Sequence, residues 1–300
     1  MNSSASKIQV SGFRDLFQLD SGVKSDAEQV REIPLAELYP FKGHPFQVRD
    51  DDAMRKTVES IAERGVLSPG IARPRPEGGY ELISGHRRKR GSELAGRTTM
   101  PVLVRDLDDD EAIIIMVDSN LQREKILPSE KAFAYKMKLE AIKHQSKRTD
   151  LTLVRGVPKL PAREQIAQDA GEKSGVTVTR YIALTKLIPP LLAMVDEAKL
   201  AVSTAADYIS PLTEQEQADL ITVMGRLDII PAKGQLAKIK KHSAEGTLTI
   251  TVIETLLSVE RPSPVQVTLK QTRLHQYFPQ NYTAQQMEEV IVSLLETWSV

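Results

Sequence analysis

The chain has no cysteine, a single tryptophan, and aromatic residues at only 5%. Without cysteine there is no disulfide framework, no Cys-based zinc finger and no thiol nucleophile. Long apolar runs are missing as well. The longest, Ala112 to Val117, falls far short of the roughly 20 residues that cross a bilayer. The first residues, Met1-Asn-Ser-Ser-Ala-Ser, carry neither the charged start nor the apolar core of a secretion signal. The expectation is a cytoplasmic protein with no membrane partner. No Gly-x-x-x-x-Gly-Lys-Ser/Thr loop occurs, which excludes a P-loop nucleotide motor. Net charge is absent too, because 40 basic residues balance 40 acidic ones.

What is present is a 300-residue chain, long enough for two or three domains, with 41% hydrophobic and 27% charged residues, ordinary for globular cores and a polar surface. The charges are unevenly placed. Eleven Lys/Arg stand against five Asp/Glu between 136 and 186, a local excess of the kind that a phosphate backbone attracts.

Residues 1–30 read as a flexible tail in which Phe13, Leu16, Phe17 and Leu19 form an apolar patch. It is either a loosely docked terminus or a partner-binding peptide that folds on contact. From 31 to 117 helix and strand signals alternate. Asp50-Asp51-Asp52 caps a helix whose face is Met54, Val58, Ile61 and Ala62, and Gly65 ends it. Strands follow at Gly70–Arg73, Tyr80–Ile83 and Met100–Arg105, the first two joined through Glu77-Gly78-Gly79. From 118 to 260 the pattern is almost wholly helical. Pro128-Ser129 starts a helix bearing Phe133, Met137 and Ala141. Later helices are expected at 162–170, 175–187, 190–198, 202–210 and 213–226. Arg261-Pro-Ser-Pro264 is a stiff linker into a C-terminal segment, 261–300. There an alternating stretch, Val265-Gln-Val-Thr-Leu, precedes an amphipathic helix ending near Trp298. That helix either docks on its own chain or dimerises. The class is α+β: a small mixed N-terminal domain, then a mostly α-helical one.

Three stretches carry chemistry. Gly65-Val-Leu-Ser-Pro-Gly-Ile-Ala-Arg73 is the first, Ile83-Ser-Gly-His-Arg-Arg-Lys-Arg90 the second, and Val117-Asp-Ser-Asn-Leu-Gln-Arg-Glu124 the third. In the second, a strand ends at Ile83 and a helix begins with His86-Arg87-Arg88 just after Gly85. N–H groups at a helix start together with guanidinium forks suit phosphate; alone, the stretch is equally a basic surface turn. In the third, Asn120 and its neighbours suit support of a hydrated Mg²⁺, although Asn and Asp are also common at an ordinary helix end.

Ala162 to Gly171, followed by Gly175 to Leu187, fits a helix-turn-helix packed by Ile166, Ala167, Ala170, Val178 and Ile182. The second helix of that motif enters the major groove. Its outward candidates are Ser174, Thr177, Thr179 and Arg180, with Lys173 nearer phosphate. Arg180 is a candidate for a bidentate contact to guanine, with a phosphate contact or a surface ion pair as the alternative. Lys143, Lys147 and Arg148 add backbone affinity.

In this order and spacing the three boxes and the helix-turn-helix, over about residues 31–190, resemble the ParB family of partition proteins. The resemblance implies a ParB/sulfiredoxin-like N-terminal domain that binds CTP with Mg²⁺ and closes two protomers into a clamp around double-stranded DNA at an inverted-repeat site. By position, Gly85, His86, Arg87 and Arg88 would hold the triphosphate. Arg73 and Arg123 would lie beside it, Arg123 coupling it to DNA, and Asn120 would support the metal. A homodimer and a separate ParA-type ATPase are the implied partners, in chromosome or plasmid segregation. Two positions depart from the family pattern: His86 stands for a Glu, and Ser119 for the Glu implicated in hydrolysis. A hydroxyl cannot act as a carboxylate base, so at most a weak CTPase is expected. The rival reading is a transcriptional repressor of a plasmid or mobile element on the same scaffold. A sulfiredoxin-like reductase is excluded because it needs a cysteine.

Overall fold

The computed structural model describes residues 30–123, 126–149, 160–258, 274, 277–279 and 282–298. The N-terminal tail, the 261–264 linker, the 265–269 alternating stretch and the side chains of Lys147, Arg148 and Trp298 lie outside the described residues. Residues up to Leu256 group into one compact unit and those from Leu257 into a second.

The first unit opens with a five-stranded mixed sheet. Its strands are β1 (Val30–Pro34), β2 (Leu38–Pro40), β3 (Gly70–Pro74), β4 (Tyr80–Ser84) and β5 (Thr99–Val104), in the order β1-β5-β3-β4-β2. β1 runs antiparallel to β5, and β3 antiparallel to β4. β3 with β5 and β2 with β4 are parallel. The hairpin turn lies at Gly78-Gly79, both left-handed, where glycine escapes the Cβ clash that other residues meet. Helix α1 (Asp52–Arg64) starts on an Asp51 cap and ends at Gly65, and α2 (His86–Leu94) leaves β4 through Gly85.

Because side chains alternate across a strand, neighbouring Leu82 and Ile83 serve different cores. Leu82 joins Ile33, Leu35, Leu38, Ala72, Met100 and Val102. Ile83 joins Phe41, Phe46 and the face of α3 (Asp109–Leu121) formed by Ala112, Met116 and Val117. An Asp108–Glu111 capping box starts α3, as the acidic run leads one to expect.

Helix α4 (Pro128–Thr149) carries the chain onward. With α5 (Ala162–Asp169) and α6 (Gly175–Ala183) it builds a third core of Tyr135, Leu139, Ile142, Ile166, Ala167 and Val178. The second helix of the motif therefore stops at Ala183, and a 3₁₀ turn over Leu184–Lys186 completes the expected span. Next come α7 (Pro189–Asp196) and α8 (Val202–Thr204), the latter continuing into a π turn over Ala205–Ile209. α9 (Glu214–Leu227), α10 (Lys233–Ala244) and α11 (Ile250–Ser258) follow. α12 (Ala284–Trp298) belongs to the second unit. No helix among the described residues is long and apolar enough to cross a membrane.

Candidate functional site

Gly85 fixes the geometry of the second box. Its φ of 106° is left-handed, and a Cβ there would sit 3.1 Å from Gly70 Cα and 3.3 Å from Arg88 Nη2. This close approach lets Arg88 reach back and donate to the carbonyls of Ser68 and Pro69 at 2.6 and 2.5 Å. The start of α2 is thereby pinned to the loop that follows α1. No acid of its own occupies the first turn of α2, so nothing within the helix offsets the dipole at its leading N–H groups.

Around that helix start the structure gathers basic side chains. Burial, then the neighbouring charges of His44, Arg123, Lys89 and Arg88, pushes His86 down to about 3. Burial also lowers His44 and Arg88. It lowers Arg123 too, with Arg87 as the next cause. Every one of these shifts opposes positive charge, and an anion of high charge would relieve them all. The His44 and His86 rings lie 4.0 Å apart, and both Nε2 atoms are buried without a hydrogen-bond partner among the described residues. Buried polar atoms are normally satisfied, so these two fit a site that receives a polar ligand. Arg87 rests on Asp51 at 3.1 Å and holds that carboxyl below its ordinary range. An exposed pair of this kind is weak and readily exchanged for phosphate. Arg123 lies over the Phe46 ring at 5.9 Å.

Two candidates stand apart from this cluster. Arg73 spends its guanidinium on the Glu81 carboxylate, the Leu107 carbonyl and Asp109. Asn120 is buried; its Nδ2 donates to the Met116 carbonyl, and its own carbonyl accepts the Arg123 N–H. Asn120 therefore shapes the corner that presents Arg123. No group of three or more His, Cys, Asp or Glu among the described residues could hold a metal ion. Ser119 Oγ donates to the Met116 carbonyl. Asp118, the acid nearest in sequence, is turned to Lys138, whose ammonium it shares with Asp169. A cavity of about 390 Å³ opens along the flank of α2, lined by Pro40, Val48, Asp50, His86, Lys89, Arg90 and Glu93. It shares His86 and Lys89 with the basic cluster.

Sequence reasoning missed His44 and Glu130. Glu130 accepts from Gln47 N at 2.8 Å and Leu127 N at 3.0 Å, tying the loop of His44 to the start of α4. The signal for His44 was its place in Gly43-His44-Pro45-Phe46; nothing in the sequence marks Glu130 beyond its helix-start position.

In the helix-turn-helix, Lys173 and Thr179 are exposed, and Ser174 and Thr177 are half-buried. Thr179 Oγ1 donates to the Gly175 carbonyl. Arg180 makes a two-point contact with Asp207, at 3.1 and 2.9 Å. Glu164 of α5 accepts the Gly175 N–H at 3.0 Å. A Cβ on Gly175 would meet the Glu164 carboxylate at 2.7 Å, so glycine is what allows one helix to cap the other.

The depressed His86 carries a pH consequence. A folded-state value of about 3 against about 6.5 unfolded means full stability above pH 6.5 and progressive loss as pH falls toward 3. By pH 5 the loss from this one group is about 2 kcal/mol. Urea unfolding at pH 7.5 and pH 5 should show it, and His86→Gln should remove that share. An unchanged pH dependence in the variant would refute it.

Comparison with known proteins places these features. The ParB N-terminal domain family matches residues 20–121. A probable chromosome 1-partitioning protein ParB from Deinococcus radiodurans is 35% identical over 191 residues, covering 64% of this chain and 58% of that protein. The chain thus spans under two thirds of that relative's length. The chromosome-partitioning protein Spo0J of Thermus thermophilus is 32% identical over 226 residues, covering 74% of this chain and 76% of that protein. Among solved structures, the C-terminally truncated chromosome-partitioning protein ParB from Caulobacter crescentus, complexed to the centromeric parS site, is 24% identical. It covers 76% of this chain and 98% of that one, with a TM-score of 0.42.

Proposed function

The chain belongs to the ParB family, and from that premise we propose that it is a DNA-binding partition protein whose N-terminal domain takes CTP as a switch. The observation that carries the nucleotide reading is the convergence of His44, His86, Arg87, Arg88 and Arg123 at the start of α2, whose first turn holds no acid of its own. Arg88 and Arg123, held charged against burial, gain most when a polyanion arrives.

In this reading the α2 N–H groups and Arg87 receive the phosphates, with Arg87 exchanging Asp51 for them. Arg88 braces the loop that shapes the pocket, and Arg123 closes it from the end of α3. His44 and His86 stay neutral and offer hydrogen bonds rather than charge. Asn120, whose Oδ1 accepts no hydrogen bond among the described residues, would support a hydrated Mg²⁺, which neutralises phosphate charge when bound. Hydrolysis is at most weak, because Ser119 offers no carboxylate and Asp118 is committed elsewhere.

The α5–α6 pair is the DNA-reading element, with Lys173, Ser174, Thr177 and Thr179 along its outer side. Two chains close as a clamp on an inverted-repeat site, and a separate ParA-type ATPase supplies the motor that this chain lacks.

Photocrosslinking to radiolabelled CTP tests the switch. The native chain should label, and Arg87→Ala should weaken labelling about tenfold, the worth of one charged hydrogen bond. Absence of labelling in the native chain sinks the reading. Genome-wide occupancy then separates the roles: broad spreading from one site marks a sliding clamp, whereas a sharp promoter peak marks a repressor.

A further inference from the structure

The carboxylate that holds Arg180 comes from outside the helix-turn-helix. Asp207 lies in the π turn over Ala205–Ile209, 27 residues further along the chain than Arg180 on α6. That turn is well anchored. The Ser210 N–H reaches the Ala205 carbonyl at 2.8 Å, the i→i+5 bond of a π turn, and Ala205, Ala206 and Ile209 are buried. From α10, Lys240 donates to the Asp207 carbonyl at 2.9 Å. Lys233 and Lys240 each lie 5.8 Å from the Tyr208 ring.

Asp207 takes one particular edge of the guanidinium. Its Oδ1 accepts from Nε at 3.1 Å and its Oδ2 from Nη2 at 2.9 Å. A guanidinium carries five N–H donors in one plane, so most of them are left over. Nη1 has no hydrogen-bond partner among the described residues. One of its N–H groups lies parallel to the second N–H of Nη2, and together they form the end-on fork that suits guanine O6 and N7. The Arg180 side chain is 42% exposed, so this outer edge is open to a ligand. The ion pair and a base contact use different edges and can coexist.

Two consequences favour base over phosphate. A loose arginine loses rotamer freedom when it binds, whereas a pinned one has lost it already. A lone guanidinium is also drawn to any phosphate. Beside Asp207 that pull is offset by the carboxylate, while the hydrogen-bond geometry toward a neutral base edge is kept.

We infer that Asp207 is a positioning residue for sequence reading: by holding the Nε–Nη2 edge of Arg180 it aims the Nη1–Nη2 edge at a guanine in the major groove. The inference rests on the DNA-reading role proposed above for α5 and α6, and names the base that Arg180 contacts and the residue outside the motif that sets it.

The full-length native chain selects a duplex from a randomised library. It is then assayed beside Arg180→Ala, Asp207→Ala and Asp207→Asn on that duplex and on each of its single-base-pair substitutions. One G·C pair should stand out, whose replacement costs the native chain about 5- to 150-fold in affinity and costs Arg180→Ala almost nothing. At that pair both Asp207 variants should discriminate about threefold less or worse, with other positions unchanged, and adding Asp207→Ala to Arg180→Ala should change nothing more. On an unrelated duplex the Asp207 variants should bind with a steeper salt dependence, by about 0.9 in the logarithmic slope, because one cation is freed for phosphate. A loss of discrimination shared by all positions would mean a merely structural role and overturns the inference. So does tighter binding of the selected duplex with discrimination intact, the mark of a carboxylate that masks Arg180. If the native chain selects a sequence but Arg180→Ala marks no pair, the inference fails and the reading helix stands. A native chain that selects no sequence removes both.

Discussion

Gly85→Ala is expected to cost about 1–3 kcal/mol of stability and about 100-fold in CTP affinity. The stability loss comes from forcing a Cβ into a left-handed backbone at φ 106°. The affinity loss comes from where that Cβ lands, 3.1 Å from the Gly70 backbone and 3.3 Å from the Arg88 guanidinium. Pushing these apart detaches the start of α2 from the Ser68 and Pro69 carbonyls and misaims Arg87. Two charged hydrogen bonds to phosphate, at about 1.5 kcal/mol each, amount to two powers of ten. Gly96→Ala is the matching control. Gly96 is also left-handed, with φ 71°, but a Cβ there meets nothing within 4 Å. It should therefore show backbone strain alone, with CTP affinity unchanged. Equal affinity losses in the two variants would rule out the steric account.

Lys138→Ala should cost about 1–3 kcal/mol, because it removes both ion pairs and leaves the part-exposed Asp118 and Asp169 carboxylates without their ammonium. Asp169→Asn should cost far less, because the ammonium keeps Asp118. The deficit should also depend on pH. Burial already raises the Asp118 carboxyl, with Lys138 opposing that rise; without the ammonium it rises further. An acid raised in the folded state contributes stability at low pH that is lost as pH climbs. The gap between variant and native chain should therefore widen from pH 5 to pH 8. Urea unfolding with a constant slope of free energy on denaturant measures it. Similar losses for Lys138→Ala and Asp169→Asn would contradict the shared-ammonium picture.

Elements closed by near neighbours were legible in the sequence. Asp51 with Gly65, the Gly78-Gly79 turn, and the Ile166, Ala167 and Val178 packing of the α5–α6 pair each rest on local signals, and the structure places them as read. β1 and β2 were not legible. Each sends a single side chain into the core, Ile33 and Leu38, so no alternation betrays them; the ladders to β5 and β4 make them strands. In the site, His86, Arg87 and Arg88 were readable as consecutive residues at a helix start. His44 and Glu130 come together only through the tertiary fold. Charge counting cannot tell a solvated cation from one paired within the fold. Lys138 answers to Asp118 and Asp169, and Arg180 to Asp207, so part of the excess between 136 and 186 is paired within the chain.

The carboxylate of Glu164 on the leading amide of α6 governs how that helix can meet a duplex. A negative group already fills the place where a backbone oxygen of DNA would otherwise settle, and it repels any that comes near. In the proposed DNA-reading role, that carboxylate disfavours a backbone phosphate at the first amide of α6 and shifts the expected contacts toward Thr177 and Thr179. At α2 the helix's own first turn holds no acid, and the carboxylate nearby, Asp51, is bound to the Arg87 side chain.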